Sequence, residues 1–151
     1  MKEAYNEARK ASKRGDYAIG AVIIHDGKIV SRAGNEVITR GVPYAHAEFL
    51  AMDMLRGTEF DVIERYREMS ILTTIAPCPM CFGRILVAGF REVIYGAPDS
   101  LSTQDYDEPV PEVFRPTAPE IRELGGDLGE RCNRLFLATR EAIDRRFFGG
   151  K

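Results

Sequence analysis

The sequence predicts an α/β protein with three layers, α/β/α, built on a central mixed five-stranded sheet. Three observations carry this. Stretches rich in Ile and Val alternate with stretches whose apolar residues recur at helical spacing, the pattern of a sheet covered by helices on both faces. Asp26-Gly27, set between two such stretches, marks a tight hairpin turn. Ser70 to Ala76 is nearly continuous in apolar and β-branched residues, as a central strand buried on both faces requires.

In order, residues 2–14 read as a helix, with Ala4, Tyr5, Ala8 and Ala11 at helical spacing and Gly15-Asp16 as its stop. Tyr17 to His25 reads as a strand in which Gly20 lets another backbone approach closely. His25, beside the turn, is expected to be exposed and idle. After the hairpin come the strand Lys28 to Ala33 and a loop, Gly34 to Pro43, that begins with Asn35. A second helix opens at His46, with Leu50, Ala51, Met54 and Leu55 as its apolar side, and closes at Gly57-Thr58. Glu59 to Glu68 fits a loop or a short helix equally well. The helix that follows the central strand runs to about Ala88, Gly89-Phe90 turns it, and Glu92 to Gly96 forms the next strand.

Ala97 to Pro119 holds Pro98, Pro109, Pro111 and Pro116 among many acids, and reads as an irregular active-site loop or partner surface. A short strand, Glu120 to Leu124, and a last helix, Leu128 to about Phe148, complete the order. That helix carries Cys132, Leu135, Phe136, Thr139, Ile143 and Phe147 on one face. There is no internal repeat.

At 151 residues, 44% of them hydrophobic and 29% charged, the chain is expected to be one soluble domain, 1–151. Met1 to Lys10 lacks the apolar run of a secretion signal, and no window holds the ~18 apolar residues of a membrane span, so a cytoplasmic protein is expected. Three cysteines, two of them in Cys-x-x-Cys, do not make a disulfide framework. The net charge of −2 argues against a dedicated nucleic-acid binder. The charge is uneven, however. Residues 99–130 hold nine acids (Asp99, Asp105, Asp107, Glu108, Glu112, Glu120, Glu123, Asp127, Glu130), and residues 131–151 hold six basic residues.

The chemistry concentrates in Thr73 to Phe82. Cys78 and Cys81 lie one helical turn apart at the start of a helix, where both sulfurs point to one side and the dipole favours thiolates. His46, in Tyr44-Ala45-His46-Ala47-Glu48, supplies a third zinc donor. Three ligands leave a tetrahedral zinc one open position, which is the catalytic arrangement. Cys132 would close the site as a fourth ligand, but its apolar helix face favours a buried, inert thiol. Glu48, two residues after His46, is the candidate general acid–base. Taken alone it would be an ordinary acid at a helix N-terminus. A thiol redox pair is the competing reading of Cys78 and Cys81.

Tyr17 to Gly96 resembles the cytidine deaminase-like superfamily, in the branch of cytosine, guanine and tRNA adenosine deaminases. Strand-hairpin, Gly34-Asn35, His46-Ala47-Glu48 and Pro77-Cys78-Pro79-Met80-Cys81 fall in that family's order. The resemblance implies that the Asn35 amide bonds the substrate ring, that the Ala47 N–H meets a ring carbonyl, and that the protein is a homodimer. The chain departs from the pattern at Ala76, where members often carry Glu, and at Phe82-Gly83-Arg84, where small residues are common. The expected function is a zinc-dependent hydrolytic deaminase of a free nucleobase, of cytosine or guanine type, or a related small aminoheterocycle. Lids from the 97–119 loop or Phe147-Phe148 would close over it, and the nine acids would repel a polyanion. The alternatives are a tRNA adenosine deaminase forming inosine at the anticodon wobble position, and a non-catalytic zinc-stabilised module.

Overall fold

A computed structural model describes residues 1–61, 63–99, 106 and 109–149, without the side chains of Ile63 and Phe148. The helices are α1 (Lys2–Arg14), α2 (Val37–Arg40), α3 (Ala47–Asp53), α4 (Ile63–Tyr66), α5 (Pro79–Ala88) and α6 (Gly126–Phe148). The strands are β1 (Gly20–His25), β2 (Lys28–Gly34), β3 (Ser70–Ile75), β4 (Glu92–Ala97) and β5 (Glu120–Glu123). They form one five-stranded sheet in the order β2-β1-β3-β4-β5. β1 runs antiparallel to both β2 and β3, whereas β3, β4 and β5 are parallel, so the sheet is mixed as expected.

The hairpin forms because Asp26 and Gly27 both take left-handed backbone, φ 49° and 71°, the pair of angles a two-residue turn between twisted strands needs. Alternation along the central strands then sorts side chains into two layers. Ala21, Ile23, Ile71 and Val93 face α3 and α5, in a core with Leu50, Leu55, Met69, Ile85 and Phe90. Val22, Leu72 and Ile94 face α1 with Ala4. Ile75 and Ala97 meet Phe136 of α6. Burial of both faces explains why the strands read as unbroken apolar runs.

Backbone packing needs glycine at defined places. A Cβ on Gly20 would lie 2.1 Å from the Ala4 carbonyl oxygen, so α1 rests directly on β1. A Cβ on Gly129 would lie 2.3 Å from the Gly96 carbonyl, so α6 rests just as closely on β4.

Several expectations change. α3 stops at Asp53, so Met54 follows the last turn and is exposed, and Met52 is buried in its place. His25 is buried, with Nε2 3.0 Å from Glu68 Oε2 and its ring edge-on to Phe60. Phe147 is 48% exposed and belongs to no core. The undecided 59–68 stretch contains α4, and the 34–43 loop contains α2. Part of the 97–119 loop is a 3₁₀ turn, Glu112–Thr117, beside Gly89 at the C-terminal end of α5. Asp105, Asp107 and Glu108 of that loop lie outside the described residues. Among the described residues no helix is long and apolar enough to cross a membrane.

Gly20→Ala is expected to destabilise the protein by about 3 kcal/mol, since backbone must move to admit the methyl group. Gly83→Ala, in open space within α5, is expected to stabilise it by up to about 1 kcal/mol. Denaturant unfolding of both variants checks the pair. Equal stabilities would show that α1 does not sit directly on β1.

Candidate metal centre and catalytic pocket

Two helix starts converge at the carboxyl ends of the parallel strands. His46 is the N-cap of α3 and Cys78 the N-cap of α5, both with extended backbone and neither with a capping side-chain bond. Pro79 at the first position of α5 needs no N–H partner there, and its fixed φ starts the helix immediately after Cys78. Freed from capping, the imidazole and the thiol turn towards each other. His46 Nδ1 lies 3.5 Å from Cys78 Sγ and 3.6 Å from Cys81 Sγ. The three donor atoms lie within 4.8 Å of one another.

This donor set fits zinc. With Zn–N near 2.0–2.1 Å and Zn–S near 2.3 Å, a tetrahedral ion holds its nitrogen and sulfur ligands about 3.6 Å apart. Electrostatics agree with the geometry. The Cys78 thiol is lowered to about 4, first by a hydrogen bond from Cys81 and further by His46. The same bond, with burial, pushes the Cys81 thiol up, so a cation is what allows both sulfurs to ionise. His46 is raised by its hydrogen bond with Cys78, against desolvation. The backbone of Pro43 adds a smaller push in the same direction.

Glu48, in the first turn of α3, is only 3% exposed. Its Oε1 accepts a hydrogen bond from Thr73 Oγ1 at 3.1 Å, and its Oε2 lies 3.6 Å from Cys81 Sγ. Desolvation raises the carboxyl above its ordinary range, the direction a proton carrier needs near neutral pH.

Asn35 and His46 border one cavity of about 280 Å³, whose walls include Tyr17, Asp99, Phe136 and Arg140. Asn35 Oδ1 accepts the Val37 N–H at 3.0 Å, starting α2. Asp16, fully buried, accepts the next two, from Ile38 and Thr39 at 2.9 and 2.8 Å, and so holds the whole turn. Ala47 opens α3, so its N–H has no partner within the helix.

Sequence reasoning missed several of these groups. Thr73 lay hidden in a β-branched run. Tyr106 donates its hydroxyl to the Pro77 carbonyl and packs edge-on against Phe82, 5.0 Å between ring centres. Helical spacing had marked Phe136, but Arg140 was read only as charge. Asp16 was read only as a helix stop. Arg84 donates to the Phe49 carbonyl and to Asp53 while stacking 3.8 Å from the Phe49 ring, so it ties α5 to α3. Cys132 lies outside the donor cluster, buried against Gly96, its thiol raised to about 11 by burial.

Residues 1–97, which contain all three donors and Glu48, match the family model "Cytidine and deoxycytidylate deaminase zinc-binding region". The chain is 38% identical over 102 residues to a tRNA-specific adenosine deaminase of Bacillus subtilis, covering 66% of this chain and 60% of that one. It is 37% identical over 105 residues to the chloroplastic tRNA(adenine(34)) deaminase of Arabidopsis thaliana, covering 70% of this chain and 8% of that one. The chain thus spans about three fifths of the bacterial relative and a small part of the plant one. A solved structure from studies of A-to-I editing by tRNA:A34 deaminases superposes with a TM-score of 0.70 at 28% identity, over 89% of this chain and 96% of that one. These likenesses overturn the expectation of a free nucleobase or small aminoheterocycle as substrate, because the relatives are deaminases of adenosine within tRNA.

About one zinc per chain is expected, and Cys78→Ser or Cys81→Ser should lose it together with thermal stability. Cys132→Ala should keep it. Elemental analysis of the purified proteins decides: full zinc in both serine variants would defeat the assignment, and zinc loss from Cys132→Ala would indicate a closed, structural site.

Proposed function

The chain belongs to the cytidine and deoxycytidylate deaminase zinc-binding family, and we propose that it is a zinc-dependent hydrolytic deaminase that converts adenosine to inosine at the wobble position of tRNA anticodons. One observation carries this: three metal donors and a buried carboxylate meet within residues 1–97, the stretch that matches the deaminase zinc-binding model, in a chain 38% identical over 102 residues to a tRNA-specific adenosine deaminase. Zinc, when bound by His46, Cys78 and Cys81, supplies the Lewis acidity that makes water a nucleophile at neutral pH.

The chain's own residues do the rest. Glu48 takes one proton from the attacking water and delivers it to the ring nitrogen, then takes the second from the hydroxyl now bonded to the ring carbon and delivers it to the amine, which departs as ammonia as the ring carbonyl forms. Its burial keeps water from competing for that proton. Asn35, its Oδ1 committed to Val37, turns the donor end of its amide to the ring. The Ala47 N–H bonds the substrate from the start of α3, and Phe136 and Tyr17 supply apolar wall for an unstacked base.

Charge on α6 supports an RNA partner. Arg134, Arg140 and Arg145 are held by exposed or half-exposed partners one turn away, Glu130, Asp144 and Glu141. Such pairs contribute little, so these arginines are readily redirected to phosphates. The protein acts in this reading as one catalytic domain, 1–151, in the cytoplasm. It does so as a homodimer, since α5 leaves Val87 71% exposed and Met80, two turns earlier on the same helix, exposed as well.

Incubation with a transcribed tRNA carrying adenosine at the wobble position should yield inosine, with turnover that falls steeply as salt rises. Glu48→Gln should retain zinc and fold while losing at least about 10²–10⁴-fold in rate. Ammonia from free bases beside an unedited tRNA would sink the reading, and near-normal turnover by Glu48→Gln would remove that residue from the chemistry.

A further inference from the structure

We infer that Thr73 is a positioning residue, anchoring one oxygen of the Glu48 carboxylate so that the other faces the metal donors; this rests on the deaminase reading above. Thr73 lies on β3, the middle strand, with its backbone paired to Ala21 of β1 on one side and Tyr95 of β4 on the other. It is fully buried, and its β-branched side chain has little rotamer freedom in a strand. Its position is therefore among the most tightly held in the molecule.

From there Oγ1 donates to Glu48 Oε1 at 3.1 Å, while Oε2 points to the donor cluster, 3.6 Å from Cys81 Sγ. The two carboxylate oxygens thus have different duties. Oε1 is the fixed end, and Oε2 is the end that carries the proton. A glutamate has three rotatable bonds, and in a buried site each wrong rotamer takes the carboxylate away from the reacting water.

The neighbouring residue sharpens the argument. Thr74, on the opposite face of the strand, spends its hydroxyl on the fold by accepting the Gly20 N–H at 3.1 Å. Thr73 spends its hydroxyl on the site. Valine would fill the same space in a central strand without a hydroxyl to bury, so the hydrogen bond to Glu48 is what this position gains from threonine.

The test uses the full-length zinc-loaded protein with Thr73→Val and Thr73→Ser. Thr73→Val should keep the wild-type zinc content and Tm. Its kcat on the edited tRNA should fall about 10- to 100-fold, as expected for loss of one hydrogen bond to a charged group, with KM within about twofold. Thr73→Ser should recover most of kcat. Crystal structures should show Glu48 in one orientation in the wild type and turned away in Thr73→Val. A purely structural threonine would instead lower Tm and leave kcat intact. Either a wild-type kcat on a tRNA that the wild type edits, or an unmoved Glu48 carboxylate, overturns the inference. If the wild type forms no inosine in any tRNA while Thr73→Val still displaces Glu48, the proposed function falls and the positioning role stands.

Discussion

Everything at the site depends on two helices starting at one point in space. α3 and α5 begin beside the carboxyl ends of β3 and β4, and their cap residues, His46 and Cys78, bring an imidazole and a thiol within 3.5 Å. Convergent helix starts also gather unpaired N–H groups and positive dipole ends. That field favours thiolates and a carboxylate in a place otherwise too dry for them. Cys81 and Glu48 each sit in the first turn of their helix, inside that field.

The rest of the molecule holds that meeting point steady. α1 and α6 cover the other face of the sheet at backbone distance, at Gly20 and at Gly96 with Gly129. Because α6 lies so low on β4, its residues Phe136 and Arg140 reach the cavity that His46 and Asn35 border. Asp16 fixes the turn that presents Asn35, and Arg84 ties α5 to α3. Each anchors a functional segment without belonging to the donor set.

The free-base reading rested on counting acids along the chain. Three of the nine, Asp105, Asp107 and Glu108, lie outside the described residues. Glu112 belongs to a turn at the far end of α5 from the cysteines. Among the described residues of that group, Asp99 borders the cavity. Charge acts over a Debye length of about 8 Å at physiological salt, so an acid as remote as Glu112 does not repel a phosphate at the site. Local charge, including the arginines of α6, decides what approaches.

What could be read from the chain alone was whatever depends on spacing. Helical and alternating periods placed the five strands and the longer helices, Asp26-Gly27 placed the hairpin, and the turn-length spacing marked Cys78 and Cys81 as a metal-binding or redox pair. His46 and Glu48 were singled out by their two-residue spacing taken together with the later Pro-Cys-x-x-Cys, the order of the family the chain resembles. Thr73, Tyr106, Asp16 and Arg140 were not, since nothing in a threonine, a tyrosine, an aspartate or an arginine says which distant group it will touch. Their partners lie far away in sequence: Glu48 for Thr73, Pro77 for Tyr106, Ile38 and Thr39 for Asp16. The exposure of Met54 likewise follows from where α3 stops, and the burial of His25 from the Glu68 and Phe60 side chains that meet it. Period fixes which face a residue takes, and only the packed fold decides what stands opposite it.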